Sequence, residues 1–177
     1  MELVCPTCRL RPPRPGDAAA LARHANDREI WLNLRDRFPH PYALSDAEAY
    51  IARVREAAED PPTAFAIEVD GEVAGGITLM PGHDIERVSA ELGYWLGRAH
   101  WGRGIVTDAV RAVTGHAFAT LGLRRVFAVP FAHNAASRRV LEKAGYVREG
   151  TMRRSAIKDG VLLDQHLYAA YDDRWPA

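Results

Sequence analysis

The apolar positions of the chain repeat with two different periods, one typical of helices and the other of strands. Apolar side chains three or four residues apart predict five helices, at about residues 17–26, 28–34, 45–54, 104–121 and 134–144. Asp17 and Ser45 stand where N-caps are expected, and Gly145 follows the last helix, where a glycine commonly ends one. The fourth pattern is the longest, and its single apolar stripe indicates one buried face.

Between these helices the apolar residues alternate, which is the pattern of strands. A short edge strand is expected at Leu10, and further strands are expected near residues 65–69, 73–79, 90–96, 125–129, 147–153 and 162–168. Asp70-Gly71 and Asp159-Gly160 supply the tight turns of two hairpins. Hairpins early in the chain and alternating helices and strands later predict a mixed α/β sheet in one layered domain. We place this domain at residues 10–177, after a flexible N-terminus at residues 1–9.

Length and charge narrow the class of protein. The chain has 177 residues, 47% of them hydrophobic and 26% charged, which suits one globular domain. Its 23 Lys and Arg residues balance 23 Asp and Glu residues, and a net charge of zero argues against a nucleic-acid partner. No apolar run is long enough to span a membrane, and the first residues lack the pattern of a signal peptide. We therefore expect a cytoplasmic protein without a membrane partner.

Two cysteines, Cys5 and Cys8, form the only Cys-x-x-Cys pair. A structural zinc site needs four ligands, and the sequence offers no second cysteine pair or suitably spaced histidine pair to complete one. Pro6 lies within the pair at the start of the chain, whereas a redox motif normally opens a helix after a strand. We predict no metal, and interpret the cysteines as thiols of a frayed terminus.

The segment from Trp101 to Thr107 carries the sharpest local signal. Gly102 and Gly104 let the backbone turn tightly between a strand and the longest helix, so that N–H groups converge on one point. The positive end of the helix dipole adds to this point, and Arg103 can add a charged contact. The segment lacks the lysine and hydroxyl of a P-loop and the third glycine of a dinucleotide fingerprint. An anion-binding loop and a purely structural turn remain as interpretations.

Three segments together resemble the GNAT-type N-acetyltransferase superfamily, and within it the branch that includes the ribosomal-protein N-terminal (alanine) acetyltransferases. They are residues 91–96 (ELGYWL), 101–109 (WGRGIVTDA) and 134–146 (NAASRRVLEKAGY). The resemblance runs from about Leu10 to Trp175. It implies a single three-layer domain whose mixed, mostly antiparallel sheet is splayed at the site that binds acetyl-CoA.

The resemblance also implies roles for particular residues. The loop that binds the coenzyme A pyrophosphate through backbone N–H groups corresponds to Gly102, Arg103, Gly104, Ile105, Val106 and Thr107. Leu96 corresponds to the strand end whose backbone pairs with the pantetheine arm, and Asn134 to a residue that hydrogen-bonds that arm. Two positions depart from the superfamily pattern, which has Gln or Arg where Trp101 stands and Gly or Ala where Val106 stands.

Acetyl transfer to an amine requires a base that removes a proton and a group that assists the leaving thiolate. Glu91 is the candidate base, because it is the one carboxylate in an apolar strand, where partial burial would raise its pKa. The alternative is a glutamate that pairs with an arginine at a sheet edge. Many superfamily members use a tyrosine where Leu141 stands here, so Ser137 is the candidate partner of the thiolate. The alternative for Ser137 is a bond to its own helix backbone.

These observations predict an acetyl-CoA-dependent N-acetyltransferase that acetylates a primary amine by direct transfer. The acceptor is expected to be an amine-bearing small molecule or a peptide N-terminus, and the protein to be a monomer or homodimer. His83 is a candidate second base, and His40 and Tyr42 are candidates for the acceptor pocket. Two alternatives remain: a non-catalytic acyl-CoA-binding or sensor module, and a structural interaction domain.

Overall fold

The strands of the protein form one mixed sheet in the computed structural model, which describes residues 1–57 and 60–175. Within these residues the strands are β1 (Leu3–Val4), β2 (Arg9–Arg11), β3 (Ala64–Val69), β4 (Glu72–Pro81), β5 (Ser89–Leu96), β6 (Arg125–Ala128), β7 (Val147–Lys158) and β8 (Val161–Tyr171). The helices are α1 (Ala18–Ala25), α2 (Arg28–Trp31), α3 (Leu44–Glu56), α4 (Ile105–Ala119) and α5 (Ala135–Ala144).

The order of the strands across the sheet is β1-β2-β3-β4-β5-β6-β8-β7. β5 and β6 run parallel, whereas β1–β2, β2–β3, β3–β4, β6–β8 and β7–β8 pair antiparallel. The parallel ladder joins Ser89 to Arg125, Ala90 to Val126 and Glu91 to Phe127, and β5 continues beyond it to Leu96. A ladder that ends while one strand continues is what a splayed sheet requires. The predicted α/β class with a mostly antiparallel sheet is therefore confirmed.

The described residues group into two compact units. The first unit comprises residues 1–57, 60–78 and 94–109, and the second comprises residues 79–93 and 110–175. The core of the first unit joins α1 and α3 to β3 and β4. Its buried members are Ala18, Leu21, Ala25, Tyr42, Ala47, Ile51, Ala66 and Val73.

Two predicted helix caps in the first unit are wrong in detail. Asp17 precedes α1, but its carboxylate binds the guanidinium of Arg11 at 2.8 and 2.9 Å and makes no cap bond to that helix. α3 begins at Leu44 rather than after Ser45, and the Asp46 carboxylate accepts a hydrogen bond from the Ala43 N–H at 2.8 Å. In both places an aspartate forms a contact that local propensity does not specify, because ion pairs and reciprocal caps compete for the same carboxylate oxygens.

The N-terminal segment, which was expected to be flexible, contains β1 and pairs with β2 through Leu3–Leu10 and Val4–Arg9. The turn between these strands reaches the first turn of α4. There the Thr7 hydroxyl donates to an Asp108 carboxylate oxygen at 2.7 Å. The mobility of this segment and the domain boundary at residue 10 stay predictions.

The second unit contains the β7–β8 hairpin, which turns at Asp159 and Gly160, both with positive φ, as the sequence predicts. Both strands are longer than their apolar patterns, because exposed polar residues continue the ladder where no core enforces alternation. α5 ends at Gly145 with φ +102°, which confirms the predicted glycine terminator. In the core of the second unit, the hydroxyls of Thr114 and Tyr146 share a hydrogen bond of 2.7 Å.

Candidate functional site

The glycine-containing loop of the first unit has the backbone conformation that its sequence predicts. Gly102 has a φ of +77° and Gly104 a φ of +80°, both in the left-handed region that L-residues with side chains avoid. A Cβ at either position would meet nothing within 4 Å, so it is backbone conformation rather than crowding that calls for glycine. Both glycines and Arg103 are exposed, which leaves the turn open to a ligand.

Backbone donors accumulate where this loop enters α4. The N–H of Asp108 donates to the Gly104 carbonyl at 3.1 Å, which is an i to i−4 helical bond. The N–H groups of Ile105, Val106 and Thr107 precede this bond, so helix geometry leaves them without an acceptor inside α4. The side chains of Ile105 and Thr107 are buried and anchor the turn, while the amides add to the positive end of the helix dipole. The arrangement can bind an anion without any net positive charge.

Arg103, the one charged residue of the loop, contacts other side chains of the first unit. Its Nη2 lies 3.2 Å from an Asp70 carboxylate oxygen, and its Nη1 lies 3.2 Å from Nδ1 of His100. Both partners of the ion pair are about half exposed or more, so water competes with the bond and its net stabilisation is small. The guanidinium is therefore available to a bound anion at low free-energy cost.

A hydrogen bond that no sequence pattern predicts joins Leu96 to the loop. The indole Nε1–H of Trp101 donates to the Leu96 carbonyl at 2.7 Å, although the indole remains about half exposed. Leu96 was predicted to pair with a pantetheine arm through its backbone. Its carbonyl already accepts one hydrogen bond, which leaves the second lone pair of that oxygen for a ligand. This bond also gives a structural role to Trp101, one of the two positions at which the chain departs from the superfamily pattern.

Glu91 lies in the second unit, at the last pair of the β5–β6 ladder opposite Phe127. β5 lies between β4 and β6, so Glu91 belongs to an interior strand. The sheet-edge position in the alternative is therefore wrong, while pairing of Glu91 with an arginine stays a prediction. Its neighbours Ala90 and Leu92 are buried on one face of the strand, and Glu91 is half-buried on the other. The Glu91 carboxylate is therefore partly shielded from solvent and partly accessible.

Asn134 and Ser137 lie at the start of α5 in the second unit. Asn134 is the N-cap of this helix, and its Oδ1 accepts a hydrogen bond from the Ser137 N–H at 3.0 Å. The cap engages the carbonyl oxygen of the amide, so the Nδ2 donors are the part of the side chain that suits a ligand. Leu141, which stands where the resemblance places the tyrosine of many superfamily members, is fully buried in the same helix.

The remaining sequence candidates are distributed over both units. His83 is exposed in the second unit. In the first unit, His40 stacks on Trp31 with ring centroids 5.6 Å apart, and Tyr42 packs on Phe38 at 4.8 Å. Burial raises the pKa of Tyr42 to about 12, so this phenol is protonated at neutral pH.

Each unit brings some predicted residues together. The first unit joins Leu96 to the loop, and the second joins Asn134 to Ser137. In the described residues no three His, Cys, Asp or Glu side chains are grouped as metal ligands would be. Over the same residues, every helix is too short or too polar to cross a membrane. Sequence reasoning missed the roles of Trp101 and Asp70, because each depends on a side chain reaching a partner that no local pattern indicates.

Comparison with known proteins supports one family throughout. A family model described as an acetyltransferase (GNAT) domain matches residues 8–147. The "Probable N-acetyltransferase YjcK" of Bacillus subtilis is 44% identical over 81 residues, which cover 46% of this chain and 45% of that protein. The chain spans about half the length of the curated relatives that it matches first. The ribosomal-protein-serine acetyltransferase of Escherichia coli is 29% identical over 109 residues, covering 62% of this chain and 60% of that protein.

A solved structure extends the similarity over the whole fold. Mycobacterium smegmatis RimJ, in complex with CoA-disulfide, is 29% identical and has a TM-score of 0.86. The alignment covers 100% of this chain and 88% of that one. The sheet and helices described above are therefore those of this structural neighbour.

Proposed function

The chain belongs to the GNAT acetyltransferase family, and we propose that it transfers the acetyl group of acetyl-CoA directly to a primary amine. The observation that carries the proposal is the loop before α4, where two left-handed glycines precede three amides that have no acceptor inside the helix. This geometry suits a pyrophosphate. Two structural neighbours have ligands of this type: RimJ is in complex with CoA-disulfide, and the acetyltransferase MccE is in complex with acetyl-CoA and AMP.

We assign the residues of the loop, Gly102 to Thr107, to the pyrophosphate of coenzyme A. The backbone donors supply most of the binding, and Arg103 adds a charged contact when it exchanges Asp70 for a phosphate oxygen. The open space around both glycines supports this assignment, since the phosphates must approach the backbone closely. Leu96 contributes backbone groups to the pantetheine arm, next to the bond from Trp101.

In the second unit we assign Asn134 and Ser137 to the pantetheine arm and its sulfur. The amide of Asn134 is held by its capping bond, so its donor group is oriented at no further entropy cost. The Ser137 hydroxyl donates a hydrogen bond to the departing thiolate and keeps its proton. Because a thiolate is already a fair leaving group, this contact has a smaller effect on the rate than the base.

Glu91 is the proposed base. The acetyl-CoA supplies a thioester that is reactive toward a neutral amine, and Glu91 accepts the proton that the ammonium form of the acceptor must lose. Half-burial on an interior strand supports this role, since it shields the carboxylate partly from water and leaves it accessible to an acceptor.

The acceptor is proposed to be a peptide N-terminus or an amine-bearing small molecule. The name of the Escherichia coli relative, a ribosomal-protein-serine acetyltransferase, favours a protein N-terminus. Aromatic rings of the first unit offer an apolar surface for such an acceptor, where Phe38 packs against Tyr42 and Trp95. A cytoplasmic location, a monomeric or homodimeric state and the absence of a nucleic-acid partner stay predictions.

The test is thiol release from acetyl-CoA with a panel of amines and peptides, for the wild type and Glu91→Gln. We expect the variant to lose about 100-fold in kcat, the usual contribution of a positioned base, with coenzyme A affinity unchanged. Glu86→Gln is the matched control, because Glu86 is an exposed carboxylate of the same unit. Equal turnover by Glu91→Gln across the panel would remove Glu91 as the base.

The same measurements separate the two other candidate functions. A non-catalytic sensor would bind coenzyme A in calorimetry and release no thiol with any amine. A structural interaction domain would show no coenzyme A binding. Family membership favours the enzyme over both alternatives, and the open loop favours a protein that binds coenzyme A over a structural domain.

A further inference from the structure

Three basic side chains of the second unit form a cluster that the proposed transfer reaction does not use. Arg138 belongs to α5, Arg148 to β7 and His166 to β8. Nη2 of Arg148 lies 3.1 Å from Nε2 of His166, and His166 is only 7% exposed. We call these three residues the basic cluster.

The contact between Arg148 and His166 determines where the imidazole carries its proton. A guanidinium can only donate hydrogen bonds, so Nε2 of His166 must accept and hold the lone pair. The proton of the neutral ring is then on Nδ1. This atom is buried, and no group among the described residues accepts a hydrogen bond from it. A buried donor without an acceptor is unfavourable, and native structures usually satisfy it.

Arg138 of α5 provides a second donor without an acceptor in the described residues. Its Nε–H is buried and has no acceptor within the described part of the chain. Neither carboxylate nearby accepts from these two donors: Glu142 accepts from the Tyr168 hydroxyl at 2.8 Å, and Asp164 accepts from the Arg154 N–H at 2.7 Å. The cluster therefore contains two buried donors and lacks an acceptor.

The electrostatic environment agrees with this interpretation. Burial lowers the pKa of His166, and the charges of Arg148 and Arg138 lower it further, against a smaller opposite effect of Asp164. Both guanidinium groups therefore lie close enough to the imidazole to make its protonation unfavourable. An oxyanion in the basic cluster would offset the repulsion between the two guanidinium groups. It would also accept the hydrogen bonds of Arg138 Nε–H and His166 Nδ1–H.

We propose that Arg138, Arg148 and His166 form a binding site for an oxyanion, either a phosphate or a carboxylate group. Donors on three separate elements can surround the oxygens of such a group, and arginine provides the forked geometry that suits them. The proposal is independent of acetyl transfer, because it concerns binding at this cluster only.

The test is an NMR titration of protein with ¹⁵N-labelled histidine, in which the His166 resonance is identified by its absence from His166→Gln. Sodium phosphate and sodium acetate are the probes, and sodium chloride at equal ionic strength is the reference. We expect a saturable shift of the His166 ring with at least one oxyanion. The probe that binds more tightly identifies the ligand as a phosphate or a carboxylate.

Arg138→Gln should weaken the binding about tenfold or more, since it removes a charge-assisted hydrogen bond. Arg139→Gln is the matched control, because Arg139 is the next arginine of α5, is exposed, and should leave the affinity within about twofold. The proposal is overturned if chloride produces the same shift, if no shift saturates, or if both variants weaken binding equally.

A measurement on the wild type keeps the proposal testable if Arg138→Gln does not fold. The groups around His166 are Arg138 from α5, Arg148 from β7, and Asp164 and Tyr168 from β8. Glu142 of α5 accepts a hydrogen bond from the Tyr168 hydroxyl. A bound oxyanion adds a negative charge to this set, so the pKa of His166 should rise on binding. A pKa of His166 that is unchanged at saturating oxyanion contradicts the proposal.

Discussion

The N-termini of α4 and α5 differ in what their first backbone N–H groups bind. Before α4 stands Gly104, which has no side chain to cap the helix, and the first amides are left for a ligand. Before α5 stands Asn134, whose side chain accepts a hydrogen bond from the Ser137 N–H at 3.0 Å. One terminus is open to an anion, and the other satisfies part of its own donors.

This difference explains how a protein of zero net charge can bind a ligand that carries several phosphates. The positive field comes from oriented amides and a helix dipole, which do not appear in any count of charged residues. At α5 the cap instead fixes the position of Asn134, and a fixed amide suits recognition of a neutral pantetheine arm. The proposed function thus assigns anion binding to the start of α4 and positioning of a neutral group to the start of α5.

Replacing Gly104 should have the largest effect, because it removes the feature that opens the first terminus. Gly104→Ala places a side chain at a φ of +80°, which costs about 1 kcal/mol or more in backbone strain. If the loop relaxes to a different φ, its amides no longer converge. We expect coenzyme A affinity, measured by calorimetry, to fall about tenfold or more.

Gly122→Ala is the control for strain alone. Gly122 also has a positive φ, +66°, and a Cβ there would likewise meet nothing within 4 Å. Gly122→Ala should lower the melting temperature about as much as Gly104→Ala does, and it should leave coenzyme A affinity unchanged. Equal loss of affinity in both variants would contradict a specific role for the loop.

Two substitutions of Asn134 should separate capping from ligand binding. Asn134→Ala removes the cap and should reduce the free energy of unfolding by about 1 kcal/mol. Asn134→Asp keeps a capping oxygen but loses the Nδ2 donors, so stability should be retained while the KM for acetyl-CoA rises several-fold. A normal KM in Asn134→Asp would show that Asn134 is only a cap.

The smallest effect is expected from the ion pair beside the loop. Asp70→Asn removes the carboxylate that holds Arg103 and keeps a residue that tolerates the φ of +53° at this turn. Coenzyme A affinity should rise by less than about threefold, because an exposed ion pair contributes under about 1 kcal/mol. The gain should disappear at high salt, and a loss of affinity would mean that Asp70 helps to orient Arg103.

Prediction from the sequence succeeded where the local structure depends on residues that are adjacent in the chain. The glycine loop, the α5 terminator at Gly145 and the Asp159-Gly160 turn were all found, because each needs a backbone conformation that few residue types adopt. Asp17 stands at the N-cap position of α1 as predicted but makes no side-chain cap bond, and the cap assigned to Ser45 was wrong, because Ser45 lies inside α3. An aspartate or serine before a helix is only a candidate cap, and Asp17 binds Arg11 of the neighbouring strand instead.

The sequence by itself determined the α/β class, the order of elements from β2 to β8 and the loop that opens α4, since periodicity and glycine conformation are local properties. Only the tertiary structure decided that Trp101 binds the Leu96 carbonyl, that Glu91 lies on an interior strand, and that Arg138 and His166 bury donors in one cluster. These contacts join side chains that are distant in sequence or reach across a turn. Their geometry follows from how strands and helices pack, which no local pattern encodes.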